Sequence, residues 1–91
     1  MFEVFYHSAV LKDDIPKLSS VVRGNIRNAI ESKLMTNPDL YGKPLRRSLR
    51  GYRKLRVGDY RIIFRIEHKS VKTFAIQHRS KVYEVAEKRK S

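Results

Sequence analysis

Residues Gly51 to Ile66 read GYRKLRVGDYRIIFRI, two stretches of alternating apolar and polar residues joined by Gly58-Asp59. A two-residue Gly-X loop between such stretches predicts a tight β-hairpin. Counting outward from the loop fixes the register, because directly opposed residues of an antiparallel pair share a face. Val57 then stands beside Tyr60, Arg56 beside Arg61, Leu55 beside Ile62 and Lys54 beside Ile63. One face collects Leu55, Val57, Tyr60, Ile62, Phe64 and Ile66, with Arg53 opposite Phe64 at its start, and is a core. The other collects Tyr52, Lys54, Arg56, Arg61, Ile63 and Arg65, and concentrates positive charge. Like charges directly across a ladder are destabilising, so Arg56 against Arg61 is a pairing that stability alone does not select. Two readings follow, solvated arginines on an exposed face, or a site for an anion.

The distribution of charge bears on that choice. The chain of 91 residues carries a net charge of +12. Residues 1–42 hold five basic and five acidic side chains, whereas residues 43–91 hold sixteen basic and four acidic ones, so the whole excess belongs to the second half. Segregation on this scale points to a polyanionic partner, a nucleic acid or a strongly acidic protein. With 41% apolar residues the chain suits one domain over residues 1–91. No apolar run approaches the ~20 residues of a membrane-spanning helix, and the start MFEVFYHS lacks the pattern of a signal peptide, so a cytoplasmic location without membrane contact is expected. Cysteine is absent, which removes disulfides, thiolate ligation and a cysteine nucleophile.

In chain order, Phe2 to Tyr6 alternates as a first strand. Ser8 is placed to cap a short helix from Ala9 that breaks near Pro16. Ser19 or Ser20 caps a longer helix with Val22, Ile26, Ala29, Ile30 and Leu34 on one stripe, ended by Thr36-Asn37-Pro38. Residues 38–50, PDLYGKPLRRSLR, read as a loop and a short irregular segment whose Lys43, Arg46, Arg47 and Arg50, each a solvated loop residue on its own, together extend the electrostatic footprint and supply attraction and orientation rather than chemistry. Val71 to Gln77 is a further strand of open register: simple closure pairs Ile66 with Val71 and puts Phe74 on the basic face, while a shift or bulge returns Phe74 and Ile76 to the core. A short helix from about Ser80 follows, with Lys88-Arg89-Lys90 as a frayed tail. The order β-α-α-β-β-β-α predicts an α+β fold, a small antiparallel sheet covered on one face by two N-terminal helices, with a short C-terminal helix.

No phosphate-binding loop, nucleophile elbow or metal-ligand spacing occurs, and no cofactor or metal is expected. His7 and His68 are assigned no role; His78 stands out only through its neighbours Arg79 and Tyr83. Lys54, Arg56, Arg61, Arg79 and Tyr83 form a set suited to RNA chemistry without a metal. RNA supplies its own nucleophile, the 2′-hydroxyl, so cleavage needs a base near that hydroxyl, positive charge around the phosphate and an acid at the leaving oxygen. Arginine offers phosphate a bidentate fork. Lysine or tyrosine can move protons, and tyrosine can alternatively stack on an unpaired base.

The segments LRGYRKLRVGDYRIIFRI and VKTFAIQHRSKVYEVA, with the preceding NP…GKPL, closely resemble the RelE/ParE superfamily of toxins from toxin–antitoxin systems over essentially the whole chain. The RelE-like branch, which cuts messenger RNA in the ribosomal A site, has basic residues on the hairpin strands, an arginine after the last strand and a tyrosine in the terminal segment. Lys54, Arg61, Arg79 and Tyr83 match. The resemblance implies that Arg61 and Arg79 contact the scissile phosphate and that Lys54 and Tyr83 transfer protons or orient substrate. A second lysine common in that branch is here Tyr52, for which Arg53 or Arg56 can compensate; His78 and Arg56 are further catalytic candidates. Lys43, Arg46, Arg47 and Arg50, with Tyr52, Arg53 and Arg65, are the expected RNA- or ribosome-binding residues. Implied partners are an acidic antitoxin and the ribosome with its mRNA, including 16S rRNA contacts. The alternatives are a ParE-like inhibitor of DNA gyrase without catalysis and a weakened member that only binds RNA.

Overall fold

The computed structural model describes residues 1–90. The hairpin is formed by β3 (Arg53–Val57) and β4 (Tyr60–Glu67), with the five expected pairs from Val57↔Tyr60 to Arg53↔Phe64, Arg56↔Arg61 among them. Gly58 takes a φ of 59°. That left-handed value at the first central position suits the glycine of a Gly-X turn.

The next connection is equally tight, Glu67 pairing with Ser70 across His68-Lys69, and His68 takes a φ of 58°. Strand β5 (Ser70–His78) then resolves the open register by combining both alternatives. Simple closure holds from Ile66↔Val71 to Phe64↔Thr73; a bulge follows, and pairing resumes at Ile63↔Ala75 and Ile62↔Ile76. The extra residue is Phe74. The bulge returns Ile76 to the core and leaves Phe74 on the basic face beside Tyr52.

The sheet is not a pure antiparallel meander. Strand β1 (Glu3–Tyr6) lies parallel to β5, and a two-residue β2 (Lys43–Pro44) is antiparallel to β3, giving the order β1-β5-β4-β3-β2. The helical layer between β1 and β2 carries the chain from one edge of the sheet to the other. A parallel neighbour requires such a crossover, and periodicity within a strand does not reveal which edge it joins.

A short helical segment, Val10–Asp14, closes with Ile15 N–H bonded back five residues to Val10 O, and a tight turn at Ile15–Lys17 accommodates Pro16. His7 rather than Ser8 caps this start: its Nδ1 accepts from Ala9 N–H at 3.0 Å. Ser19 caps α1 (Ser20–Ala29) by accepting from Val22 N–H, and the helix continues through Ile30–Leu34 to another bond back five residues, Met35 N–H to Ile30 O. A one-turn α2 (Pro38–Tyr41) begins on proline, whose lost N–H is harmless there. Val10, Leu18, Ile26, Ile30 and Leu34 pack on Leu55, Ile62, Phe64, Val71 and Ile76 to form the main core.

The opposite face is also partly covered. Helix α3 (Val82–Lys90) lays Val82 over Ile63 and Ala75, flanked by Leu45, Tyr52 and Phe74, in a second, smaller core. Lys88-Arg89-Lys90 is therefore no frayed tail but the last turn of this helix. The Arg89 guanidinium reaches Asp14 of the first helical segment at 2.6 and 2.7 Å and also donates to Phe74 O, while Asp14 accepts from Ile76 N–H and Gln77 Nε2. Strand β1 pairs with β5 only as far as Thr73, so this cluster satisfies the edge of β5 that β1 leaves open. No helix among the described residues is long and apolar enough to cross a membrane.

Candidate active site on the basic face of the sheet

The sheet alternation that buries Leu55 and Ile62 turns Lys54, Arg56 and Arg61 to the other face. Arg56 is exposed and Arg61 half-buried directly across from it. Helix α3 adds the next member. Because Val82 is pinned on Ile63 and Ala75, its neighbour Tyr83 projects toward β3, and Lys54 Nζ donates to Tyr83 Oη at 3.2 Å. The same Nζ lies 5.8 Å from the tyrosine ring centroid. Tyr83 remains 38% exposed, so the pair is open to a ligand.

Arg61 and Arg79 gather at the hairpin turn. Arg61 Nη1 donates to Gly58 O at 2.9 Å and Tyr60 O at 2.8 Å, and Arg79 N–H donates to Asp59 O at 2.8 Å, leaving the Arg79 side chain exposed. The ion pairs among the described residues are Arg65–Glu67, Glu84–Lys88 and Arg89–Asp14, so Lys54, Arg56, Arg61 and Arg79 keep their charge uncompensated. Side chains of one sign on one face create a focused positive potential.

The remaining expected residues divide. Lys43 is the register partner of Lys54 and extends the patch. Arg46, Arg47 and Arg50 are exposed on and beside the turn Arg47–Leu49, which contacts the end of α3 through Ser48 with Glu87 and Lys90. Tyr52 and Arg65 share the basic face, the guanidinium 5.8 Å from the ring centroid. Arg53 does not join them: it lies on the helix-covered side and donates to Gly42 O at 3.1 Å and Asp39 O at 3.4 Å, holding α2 against the sheet. His78 is likewise turned away. It pairs with Tyr60, the rings meeting edge-on at 5.5 Å, and its Nδ1 contacts Ser80 Oγ at 2.9 Å, on the face opposite Lys54. Sequence reasoning missed Asp14 and Arg89, which hold α3 and hence Tyr83; no local pattern joins residues 75 apart.

Chemically, the face offers positive charge for a phosphate and a hydrogen-bonded amine–phenol pair beside it. A metal-binding group of three or more His, Cys, Asp or Glu is absent among the described residues.

A sequence model of the family described as the ParE toxin of type II toxin–antitoxin systems matches residues 10–83. The chain belongs to the RelE/ParE toxin superfamily. Within it, Toxin RelE of Mycobacterium tuberculosis is 32% identical over 83 residues, covering 86% of each chain, and Toxin RelG of the same organism is 35% identical over 72 residues, covering 77% of this chain and 83% of that one. The structure resembles the toxin–antitoxin complex RelBE2 of M. tuberculosis with a TM-score of 0.78 at 30% identity, covering 87% of this chain and 92% of that one. The RelB–RelE complex of Methanococcus jannaschii gives 0.68 at 20% identity, covering 89% and 96%, and supports the fold alone. This superfamily member is a RelE-like toxin of a type II toxin–antitoxin system, and its α+β fold is the fold of those relatives.

Proposed function

We propose that this toxin is a cytoplasmic, ribosome-dependent endoribonuclease that cuts messenger RNA in the A site. The contact that carries the reading is Lys54 Nζ to Tyr83 Oη at 3.2 Å, because it joins the hairpin to α3 and stands on the face where Arg56 and Arg61 meet. In this reaction the RNA 2′-hydroxyl attacks the adjacent phosphorus and the bond to the 5′-oxygen of the next nucleotide breaks. The products are a 2′,3′-cyclic phosphate and a 5′-hydroxyl. Lys54 and Tyr83 take the 2′-hydroxyl proton and supply one to the leaving oxygen, and Arg61 and Arg79 offset the charge that gathers on the phosphoryl oxygens. Arg61 leaves its turn carbonyls to reach the phosphate, exchanging two neutral acceptors for an anionic one.

The basic face also suits an acidic antitoxin, in keeping with the toxin–antitoxin complex RelBE2 of M. tuberculosis. Primer extension on mRNA translated with the purified chain tests the reading: codon-phased cuts are expected, and Arg61→Ala is expected to weaken them strongly. The match to a family described as ParE makes gyrase the second target to assay. Inhibited supercoiling in a purified reaction, unaffected by Tyr83→Phe and Lys54→Met and with mRNA left whole, favours that reading instead.

A further inference from the structure

Beside the Lys54–Tyr83 pair the same face carries a second feature that proton transfer does not use. Phe5 pairs with Lys72, and Lys72 with Arg65, across β1, β5 and β4, and Tyr52 stands just before β3 beside them. Aromatic side chains thus bracket two cations across the sheet. Lys72 Nζ lies 4.9 Å from the Phe5 ring centroid and Arg65 5.8 Å from that of Tyr52. Phe74, placed on this face by the bulge, stacks on Tyr52 at 4.9 Å with a 33° tilt, and His7 meets it edge-on at 5.3 Å. These six residues, with Tyr6 and Thr73, bound an open cleft of about 280 Å³.

A cleft of this kind differs from a core. Phe5 is 44% exposed on an edge strand, and cations lie over the Phe5 and Tyr52 rings, while Tyr52 and Phe74 also pack against Ile63, Ala75 and Val82. Arg65 is paired with Glu67, but Lys72 has no ion pair among the described residues. The exposed Phe5 ring and the half-buried Tyr52 and Phe74 rings, with cations beside them, complement a nucleobase and its phosphate, and such stacking tolerates any base. Tyr52 is two residues from Lys54 along the chain, about 7 Å.

We propose that this cleft receives an unpaired base of single-stranded RNA, stacked on the Tyr52–Phe74 wall or on Phe5, with its phosphate held by Lys72. The assignment rests on the nuclease reading for the identity of the ligand: an RNA strand with its reactive phosphate at Lys54 and Arg61 brings a neighbouring nucleotide to the cleft. Fluorescence anisotropy of a labelled 2′-O-methyl RNA hexanucleotide, which lacks the free 2′-hydroxyl and so is not cut, reads the cleft separately from chemistry. Phe5→Leu and Lys72→Gln each leave the main core untouched and are expected to weaken binding about tenfold, with a smaller loss for the same sequence in a duplex. Unchanged affinity in both folded variants overturns the cleft even if the wild-type chain cuts mRNA. Equal losses for single strand and duplex, or a loss seen only with a polyglutamate peptide, also overturn it, the latter in favour of an acidic protein ligand. Tenfold weaker binding by a chain that leaves ribosome-bound mRNA whole sustains the cleft and removes the nuclease reading.

Discussion

At the scale of single residues, Gly42 shows how closely packing follows from one missing carbon. A Cβ there would lie 2.3 Å from Phe64 Cζ and 3.1 Å from Pro38 O, and Phe64 is fully buried with no room to retreat. Gly42→Ala is expected to lower stability by about 1–3 kcal/mol, read as a lower urea midpoint at unchanged slope. Tyr6 makes a different prediction. Burial, aided by the negative charge of Glu31, raises its pKa above the ordinary value of 10.0. The folded chain therefore holds the phenolic proton at a pH where the unfolded chain has released it, so stability falls as pH rises above about 10. Tyr6→Phe is expected to flatten that alkaline fall in denaturation midpoints measured from pH 8 upward. For Lys54 and Tyr83, Lys54→Met and Tyr83→Phe are each expected to slow mRNA cleavage by about 10²-fold or more in single-turnover assays. Binding of the 2′-O-methyl hexanucleotide should change far less.

At the scale of elements, α3 is held to the fold by a bidentate ion pair as well as by Val82 and Ala86. Hydrogen bonding to Asp14 raises the Arg89 pKa further, against the opposing effect of burial. Asp14 is fully buried at its side chain and Arg89 is 12% exposed, so removing one partner strands the other. Arg89→Ala is expected to lower stability by about 3–5 kcal/mol in chemical denaturation, and Asp14→Leu with Arg89→Met to recover only the part due to the stranded charge, because Ile76 N–H and Phe74 O then lose their partners. The hairpin was legible because turn and alternation lie within sixteen consecutive residues and fix one another; Lys54, Arg56 and Arg61 came with it. What local pattern could not carry is long-range. The edge chosen by β1 and the Asp14–Arg89 pair depend on segments distant in sequence, while the bulge between the adjacent β4 and β5 stayed open because alternation alone fits either register. His78 shows the same limit: its neighbours suggested a catalytic place, but strand alternation turned it toward Tyr60. Arg53 counted as basic surface, whereas two carbonyls of the α2 turn claim its guanidinium.

At the scale of the whole molecule, a neutral half supplies most of the helical layer and a half of net charge +12 supplies the hairpin, β5 and α3. Binding to RNA is expected to weaken steeply with salt, log affinity falling linearly with log salt at a slope near −0.7 per phosphate neutralised. Lys72→Gln should reduce that slope by roughly one contact's share. The order in which the halves can assemble follows from the parallel pairing of β1 with β5 and from Asp14 meeting Arg89 across 75 residues. Closing such large loops is entropically late and makes folding slow. During synthesis the basic hairpin emerges before Tyr83 exists to stand against Lys54, and α3 cannot be clamped until Arg89 has been added. On the nuclease reading proposed above, a chain that has not yet reached Tyr83 and Arg89 therefore lacks the amine–phenol pair and the clamp that holds it.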